Sequence, residues 1–338
     1  MLTEKRSTRF GAALIIFAVL VRLLGGLTGS AVRALRQPEE TGGSLIRETT
    51  GQLQSKPQAL PTLPSTEAVP PETAPAQPQP PAPEPLLFSA AALSYVRVQY
   101  ASDCSHRPNL EKLLLQDLDW NLSGAEPTVL ILHTHASESY TRQPGQDYAE
   151  TADYRTLNES FNMVAVGDYL TKLLENAGIT VLHDRTIHDY PSYTQSYSNS
   201  RDAVRAYLQE YPTIQVVLDL HRDAAENPDG SQYATSCTVN GEKIAQLMLV
   251  IGTNASGNYH PNWQENLAAA LKIQTLLEQM APGITRQTIL RAQRFNHDLS
   301  CGAMIVEVGT AGNTLDEALG AIPYLAEALI ALMHGATS

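Results

Sequence analysis

From about residue 86 onward, short apolar runs alternate with longer amphipathic stretches. The apolar runs predict buried strands at 129–132, 179–182, 214–220, 246–252 and 304–308, and the amphipathic stretches predict helices at 158–177, 198–209, 262–280 and 315–333. In the first amphipathic stretch the apolar residues recur at the spacing of one helical face, and Gly178 follows as a stop signal. Strands that alternate with helices predict an α/β fold with a mixed, mostly parallel sheet flanked by helices.

The first 36 residues have a different pattern, an apolar run at 10–28 behind Lys5, Arg6 and Arg9. This pattern is typical of a signal sequence or a signal anchor. Arg22 shortens the apolar core of the run, but its side chain can extend toward the membrane interface and allow a spanning helix. Because no small-residue cleavage site follows directly, we predict an uncleaved anchor in residues 1–36, with a cleaved signal as the alternative. The basic flank would stay in the cytoplasm and the rest of the chain would be exported.

Residues 37–85 predict a linker. Eleven of the 21 prolines of the chain lie between 57 and 85, interleaved with Gln, Ala, Glu and Thr. Such a segment cannot bury a core and prefers extended polyproline II conformations. We predict a disordered spacer that holds a folded domain of residues 86–338 away from the membrane. A Pro-rich ligand for a partner protein is the alternative.

The charge distribution argues against nucleic acid as a partner. The chain carries a formal net charge of −12, and its first 36 residues carry +5, which leaves −17 for the rest. No patch rich in Lys and Arg interrupts this acidic remainder. The three cysteines, Cys104, Cys237 and Cys301, are too few and too scattered for a disulfide framework or a cysteine-based zinc site. We therefore expect inert thiols.

Three of the predicted strands lead into ionisable residues. Strand 129–132 is followed by His133 and His135, strand 214–220 by His221, Arg222 and Asp223, and the AMIV run by Glu307. A fourth candidate, Glu159, opens the helix predicted at 158–177. In a parallel α/β sheet these positions converge on the edge where ligands bind.

Each candidate also has an ordinary structural explanation. Glu159 could complement the helix dipole next to an Asn158 cap, and Glu307 could be a buried glutamate paired with an arginine such as Arg222. Taken together, however, two imidazoles and one carboxylate make the open tetrahedral donor set of catalytic zinc. A second carboxylate off the metal can serve as the proton acceptor. The combination predicts hydrolysis at a zinc site.

Four segments resemble sequences of the stage II sporulation protein P family. The members of this family are membrane-anchored cell-wall hydrolases of endospore formers. The segments are ILHTHASESY, NESFNMVAVGDYLTKLLENAGITVLHDR, VVLDLHRDA and AMIVEVGTAGN, and HTH-x-SESY is the most specific motif. More distantly, their order resembles zinc-dependent N-acetylmuramoyl-L-alanine amidases, which implies an amidase-like, phosphorylase/hydrolase-like sandwich. The resemblance covers about residues 125–335, and an anchor followed by a Pro-rich spacer suits the same family.

The resemblance to the amidases implies a role for each candidate. Zn²⁺ would be bound by His135, beyond the first strand, by Glu159, at the start of the following helix, and by His221, at the end of the central strand. Glu307 would be the catalytic base. Asn162 lies three residues after Glu159, as the amidase pattern requires.

The first ligand position departs from the amidase pattern. Thr134 and Ala136 replace the glycines that flank the amidase histidine, and His133 competes with His135 for the ligand role. We favour His135 as the ligand, with His133 supporting the ligands or holding substrate.

Three further assignments stay open at this stage. Glu138 is the alternative to Glu159 as the carboxylate ligand, and Asn162 is a candidate for supporting the site. Arg222 either steadies a carboxylate of the substrate or pairs with Asp223.

The resemblance implies an extracytoplasmic amidase of the septal or engulfing membrane. It would cleave the amide bond between N-acetylmuramic acid and L-alanine of peptidoglycan, and also peptide cross-links, in septal wall degradation during sporulation engulfment. It also implies partnership with stage II sporulation proteins D and M. The alternatives are a zinc endopeptidase that cuts only stem peptides and an inactive wall-binding scaffold. An inactive scaffold would not need the complete set of candidate metal ligands and the candidate catalytic base, so their presence argues against that alternative.

Overall fold

Within the described residues, 88–122 and 125–336, the computed structural model contains nine strands. They are, in chain order, β1 Val98–Tyr100, β2 Val129–Leu132, β3 Val181–His183, β4 Val216–Asp223, β5 Ser236–Val239, β6 Glu242–Ala245, β7 Leu247–Gly252, β8 Thr288–Arg291 and β9 Gly302–Thr310. Seven strands form one sheet in the order β1-β8-β7-β9-β4-β2-β3, while β5 and β6 form an antiparallel hairpin. In the large sheet all neighbours are parallel except β7 and β9. The predicted fold class, a mixed and mostly parallel sheet flanked by helices, is therefore confirmed.

Helices cover both faces of this sheet. In the described part of the chain they are α1 Leu110–Leu115, α2 Met163–Asn176, α3 Ser196–Glu210, α4 Trp263–Met280 and α5 Leu315–Ala336. Alternate residues of β2 show the arrangement. Val129 and Ile131 belong to the core that includes buried residues of α2, α4 and α5, whereas Leu130 packs in a second core with Val204 of α3. Because both faces are buried, the central strands are continuous apolar runs rather than alternating ones.

Helix α5 is the one helix in the described residues that is long and apolar enough to cross a membrane, over Leu315–Gly335. Half of that stretch is buried inside the protein, and α5 packs against α2, α4 and β6. Ile322, Leu325 and Leu329 belong to the main core. The burial of α5 is that of a core helix. The predicted anchor at 10–28 and the predicted linker at 37–85 lie outside the described residues.

Helix α2 begins at Met163, and the prediction of a start at 158 with Asn158 as its cap is wrong. The N-cap is Asn162, whose Oδ1 accepts a hydrogen bond from the Val164 N–H at 3.0 Å. A β-bridge between Asn162 and Ser139 holds the backbone of Asn162 extended. This contact overrides the helical periodicity of the preceding residues. A side-chain cap of this kind contributes about 1 kcal/mol to stability.

Strands β4 and β9 continue past the apolar runs that predicted them. β4 reaches Asp223 and β9 reaches Thr310, so His221 and Glu307 lie within paired strands instead of beyond the strand ends. The parallel register places these two residues opposite each other. Hydrogen bonds between the two strands pair the backbone N–H and C=O groups of these buried polar residues, which would otherwise have no partners.

The apolar pattern did not predict α1, β1, β8 or the hairpin of β5 and β6. Strands β1 and β8 are short and only partly buried, so they lack the apolar runs of the central strands. The hairpin had a local signal that was missed. Its turn is Asn240-Gly241, with φ of 53° and 86°, which is the dipeptide and conformation of a two-residue hairpin turn.

His297, in a 3₁₀ turn between β8 and β9, is a buried histidine of the core region. Its Nδ1 accepts a hydrogen bond from Gly252 N at 3.1 Å, and its Nε2 has no hydrogen-bond partner among the described residues. Burial lowers the pKa of His297 to about 3. The unfolded chain binds a proton at this imidazole below about pH 6.5 while the folded chain does not. Stability is therefore lost as the pH falls from about 6.5 toward 3.

We expect His297→Asn to make the protein less sensitive to acid. An asparagine Oδ1 can accept the hydrogen bond from Gly252 N but does not titrate. Because of the lowered pKa of His297, the free energy of unfolding of the wild type should fall by about 2 kcal/mol more between pH 8 and pH 5 than it would without this histidine. The free energy of unfolding of His297→Asn should therefore fall by about 2 kcal/mol less than that of the wild type over the same pH range. Urea unfolding of both proteins at the two pH values measures the difference. Equal losses would contradict the expectation.

Candidate active site

Strands β2, β4 and β9 are neighbours and end at the same edge of the sheet. The register pairs Leu132 with Asp219 and His221 with Glu307. The loop that follows β2, residues 133–140, lies at this edge and is buried along its whole length. Parallel α/β sheets bind their ligands at this position. The structure thus brings His135, from the loop, close to residues of β4 and β9.

His221 lies between two carboxylates. Its Nδ1 is 3.6 Å from Glu138 Oε2, and its Nε2 is 2.9 Å from Asp219 Oδ1. The second contact is an ion pair without the geometry of a hydrogen bond, so Nε2 has no hydrogen-bond partner in the described residues. Burial by itself lowers the pKa of His221, but Asp219 and Glu138 outweigh burial and raise this pKa well above its ordinary value.

Glu138 is buried and surrounded by cations. Its Oε1 accepts a hydrogen bond from Arg155 Nη2 at 3.2 Å and lies 3.6 Å from Arg222 Nη1. Its Oε2 accepts from the backbone N–H of Arg222 at 3.3 Å. Burial alone would raise the pKa of Glu138, but Arg222 and His221 outweigh it and hold the pKa well below its usual range. Glu138 is therefore ionised, beside His221.

His135 completes this cluster. Its ring is edge-on to that of His221, with ring centroids 5.3 Å apart, and is stacked on the ring of Tyr193 at 4.5 Å. Its Nδ1 is buried without a hydrogen-bond partner among the described residues and lies 3.9 Å from Asp189 Oδ2. Burial, opposed in part by Glu138, lowers the pKa of His135 to about 4. A neutral imidazole with a free nitrogen is the form that binds metals.

Glu307 faces this cluster from β9. It is paired in register with His221, and its Oε2 is buried without a hydrogen-bond partner in the described part of the chain. Burial raises the pKa of Glu307 to about 8, opposed by the positive charge of His221. A carboxylate with a pKa near the working pH and an unused oxygen can accept and return a proton.

His133 lies away from the cluster, in a pair with His183. The two Nε2 atoms are 2.8 Å apart, and Nδ1 of His133 is 3.1 Å from the carbonyl oxygen of Leu220. Burial and the neighbouring His183 lower the pKa of His133 to about 3. Gly167 of α2 makes room for the pair, since a Cβ atom there would lie 2.4 Å from His183 Nε2 and 2.6 Å from His133 Nε2. The structure separates His133 from His135 because β2 ends at Leu132 and the chain turns over residues 134–137.

Gly167→Ala is expected to destabilise the protein by about 1–3 kcal/mol. Alanine normally favours a helix by about 1 kcal/mol over glycine, but here its methyl group would overlap two buried imidazoles. Thermal or urea unfolding of the variant measures the effect. In a double-mutant cycle with His183→Ala, the cost of Gly167→Ala should fall, because the nearest atom is gone. A stabilised Gly167→Ala would contradict the overlap.

Glu159 is not part of the cluster. It lies in the loop before α2, about half exposed, and forms an ion pair with Arg185, which also pairs with Asp168 of α2. The structure gives Glu159 no contact with His135 or His221. The premise of its assignment was that Glu159 opens the helix, and that premise is wrong because α2 begins at Met163. Glu138, the sequence alternative, is the carboxylate that the structure brings to His221.

Asn162 and Arg222 have structural partners. Asn162 caps α2 and also donates from Nδ2 to the carbonyl of Thr156 at 3.0 Å. Arg222 donates from Nε to the carbonyl of Ser139 at 3.0 Å and from Nη2 to that of Tyr154 at 2.9 Å. Arg222 contacts Glu138, as described above, whereas Asp223, one of the two partners left open for Arg222, pairs with Arg286 at 2.7 Å. The pairing of Arg222 with Asp223 is therefore wrong, because adjacent residues of a strand point to opposite faces.

Four further residues of the site were not predicted. Asp219 contacts His221, Asp189 and Arg155 hold the loop after β2, and Tyr193 stacks on His135. One of them had a signal in the sequence. In the segment LDLHRD, Asp219 precedes His221 by two residues, so both side chains lie on the same face of the strand. Asp189 and Arg155 come from loops and Tyr193 from a short 3₁₀ turn before α3, where no periodicity indicates the direction of a side chain.

The residues present fit a zinc ion by donor chemistry. His135, Glu138 and His221 are two imidazoles and a carboxylate, the open donor set of catalytic zinc. Nδ1 of His135 is buried without a hydrogen bond in the described residues, and Nδ1 of His221 lies 3.6 Å from Glu138 Oε2. As the side chains stand, no group of three or more His, Cys, Asp or Glu residues in the described ranges is arranged to hold a metal ion.

The fold and the site define an α/β protein with a buried cluster of histidines and carboxylates at the carboxyl edge of its sheet. The model of the Stage II sporulation protein P family matches residues 52–330. The chain therefore belongs to the stage II sporulation protein P family, which confirms the resemblance inferred from its motifs.

One relative with the same family description was also found. Stage II sporulation protein P of Bacillus subtilis (strain 168) is 28% identical over 208 residues, which are 58% of this chain and 48% of that protein. The match thus spans about half the length of the relative.

Solved structures of lower similarity were also found. The CwlD amidase from Clostridioides difficile in complex with the GerS lipoprotein is 14% identical, with a TM-score of 0.36, over 62% of this chain and 95% of that chain. The N-acetylmuramoyl-L-alanine amidase AmiC2 of Nostoc punctiforme is 12% identical, with a TM-score of 0.36, over 62% of this chain and 96% of that chain. At these values neither match bears on the fold or the chemistry of this chain.

Proposed function

We propose that this chain is a peptidoglycan hydrolase that cleaves the amide bond between N-acetylmuramic acid and the L-alanine of the stem peptide. One observation carries the proposal. Two histidines and an ionised glutamate meet in a buried site of a member of the stage II sporulation protein P family, and opposite them the Oε2 of Glu307 has no hydrogen-bond partner within the described ranges.

His135, Glu138 and His221 would hold the metal. Glu138 takes the place that the resemblance to the amidases gave to Glu159, because Glu138 lies 3.6 Å from His221 while Glu159 pairs with Arg185. A zinc ion supplies a Lewis acid that polarises the amide carbonyl and acidifies water. Arg155 and Arg222 keep Glu138 ionised and fixed, and Tyr193 holds the plane of the His135 ring.

Glu307 moves the proton in this proposal. Its free Oε2 accepts a proton from the attacking water and passes it to the leaving amide nitrogen. Its pKa, raised to about 8 by burial, makes the protonated carboxyl stable enough to exist between these two transfers. Its position across from His221 supports transfer next to the metal ligands.

The biological setting follows from family membership and is part of the proposal. We propose that residues 1–36 anchor the chain in the septal or engulfing membrane and that residues 37–85 place the folded domain in the wall. Septal peptidoglycan would be degraded during sporulation engulfment, with stage II sporulation proteins D and M as partners. The same site would also hydrolyse peptide cross-links, because these bonds are amides too.

Mass spectrometry of digested cell wall tests the proposal. The purified protein, with zinc, is incubated with isolated peptidoglycan, and the soluble products are compared with those of Glu307→Gln. Amidase action releases intact stem peptides with a free L-alanine amino group and leaves glycan strands with unsubstituted lactyl groups. Products cut only within the peptides would replace the proposal with a zinc endopeptidase. Binding to the wall without products would replace it with a scaffold.

A further inference from the structure

Asp219 is a buried carboxylate that the proposed chemistry leaves without a role. It lies on β4 two residues before His221, and both side chains are on the same face of the strand. A buried carboxylate is costly unless its charge is compensated. The residues that contact Asp219 therefore indicate the role of its negative charge.

Asp219 joins two parts of the site. Its Oδ1 accepts a hydrogen bond from Thr134 N at 2.7 Å, and its Oδ2 accepts one from Thr134 Oγ1 at 2.6 Å. Thr134 directly precedes His135 in the loop after β2. The same Oδ1 lies 2.9 Å from Nε2 of His221. One carboxylate thus connects the strand that carries His221 with the loop that carries His135 and Glu138.

The contact with Thr134 alone does not require a charge. A neutral asparagine could accept the hydrogen bond from Thr134 N, and the threonine hydroxyl could turn to accept from an asparagine amide. His221 does account for the charge, because an imidazole that binds a metal through one nitrogen is commonly supported by a carboxylate at the other. Asp219 lies on the Nε2 side of His221, and Glu138 Oε2 lies on the Nδ1 side at 3.6 Å.

We infer that Asp219 is a positioning residue for the metal site: it holds His221 from its Nε2 side, turns Nδ1 toward Glu138, and ties both to the loop of His135. The inference rests on the proposed function, since it concerns the same zinc site. Asp219 acts through His221 and Thr134 and touches neither substrate nor metal.

Zinc affinity of the purified full-length chain tests this role. Asp219→Asn should weaken zinc binding roughly 10–100-fold, the range observed when an outer partner of a ligating histidine is removed. The visible spectrum of the cobalt-loaded variant should also differ from that of the wild type. Asp298→Asn is the matched control. The side chain of Asp298 is also largely buried, in a bidentate pair with Arg201 at 2.8 and 2.7 Å, so its loss should lower the unfolding midpoint but leave zinc affinity unchanged.

The outcomes separate the inference from the proposed function. If the wild type binds no zinc, the proposed function fails and the inference fails with it. If the wild type binds zinc and Asp219→Asn binds it equally well, only the positioning role is overturned. A loss of affinity shared by Asp298→Asn would also overturn it, because general destabilisation would then be the cause. If Asp219→Asn does not fold, the smaller Asp219→Ser is measured against the same control.

Discussion

Glu307→Gln is expected to lower the rate of wall digestion by roughly 10²–10⁴-fold while the zinc content stays at the wild-type level. Glutamine has the shape of glutamate but cannot accept a proton from the attacking water. The buried Oε2 of Glu307 has no hydrogen-bond partner in the described residues, so no hydrogen bond is lost at this atom. Replacing a carboxylate whose pKa is raised to about 8 by a neutral amide should not destabilise the fold. Zinc content and digestion rate are measured on the same preparation.

A neighbouring carboxylate provides the control for this experiment. Asp223 also raises the pKa of Glu307, but it lies at the end of β4 and pairs with Arg286. Asp223→Asn should therefore change the digestion rate far less than Glu307→Gln. Near-normal activity of Glu307→Gln, or loss of its zinc, would show that Glu307 is not the proton acceptor.

Glu138→Gln is expected to weaken zinc binding more than the roughly 10–100-fold that follows removal of an outer partner, and to abolish wall digestion. The amide keeps the size of the side chain but loses the negative charge that faces His221 at 3.6 Å. It also loses the charge that Arg155 and Arg222 neutralise, so the variant should be less stable. Chelator competition gives the zinc affinity, and urea unfolding gives the stability.

Glu159→Gln is the matched variant, because it makes the same chemical change at the other candidate ligand. Its side chain is about half exposed and pairs with Arg185, a surface pair whose loss costs little. We expect wild-type zinc affinity and digestion rate for Glu159→Gln. The reverse result, with zinc lost in Glu159→Gln and kept in Glu138→Gln, would restore the assignment implied by the amidases.

The elements that position the site were predictable where burial is complete. Strand β2 lies at its predicted bounds, 129–132, because its four aliphatic residues are all buried and a polar residue follows at once. Helices α4 and α5 begin within one residue of prediction, because their apolar faces extend over many turns. Strand β8 was missed because alternate residues are only half buried, which leaves a pattern too weak to predict a strand.

The candidate site was predictable in part. His135, His221 and Glu307 follow or belong to central strands, and the structure brings them together at one edge of the sheet. Asp189 and Arg155 could not be found in this way. They come from loops, and their contacts with Ser137 and Glu138 depend on the three-dimensional path of the chain.

By itself the sequence determined the class of fold, its central strands and the edge at which ionisable residues collect, because burial leaves a local and periodic pattern of apolar residues. Only the tertiary structure decided which glutamate stands beside His221. The bridge between Ser139 and Asn162 delays the start of α2 and leaves Glu159 at the surface with Arg185. The turn after β2 brings Glu138 between Arg155 and Arg222 instead. A contact between distant segments sets both outcomes, and no local pattern of residues records such a contact.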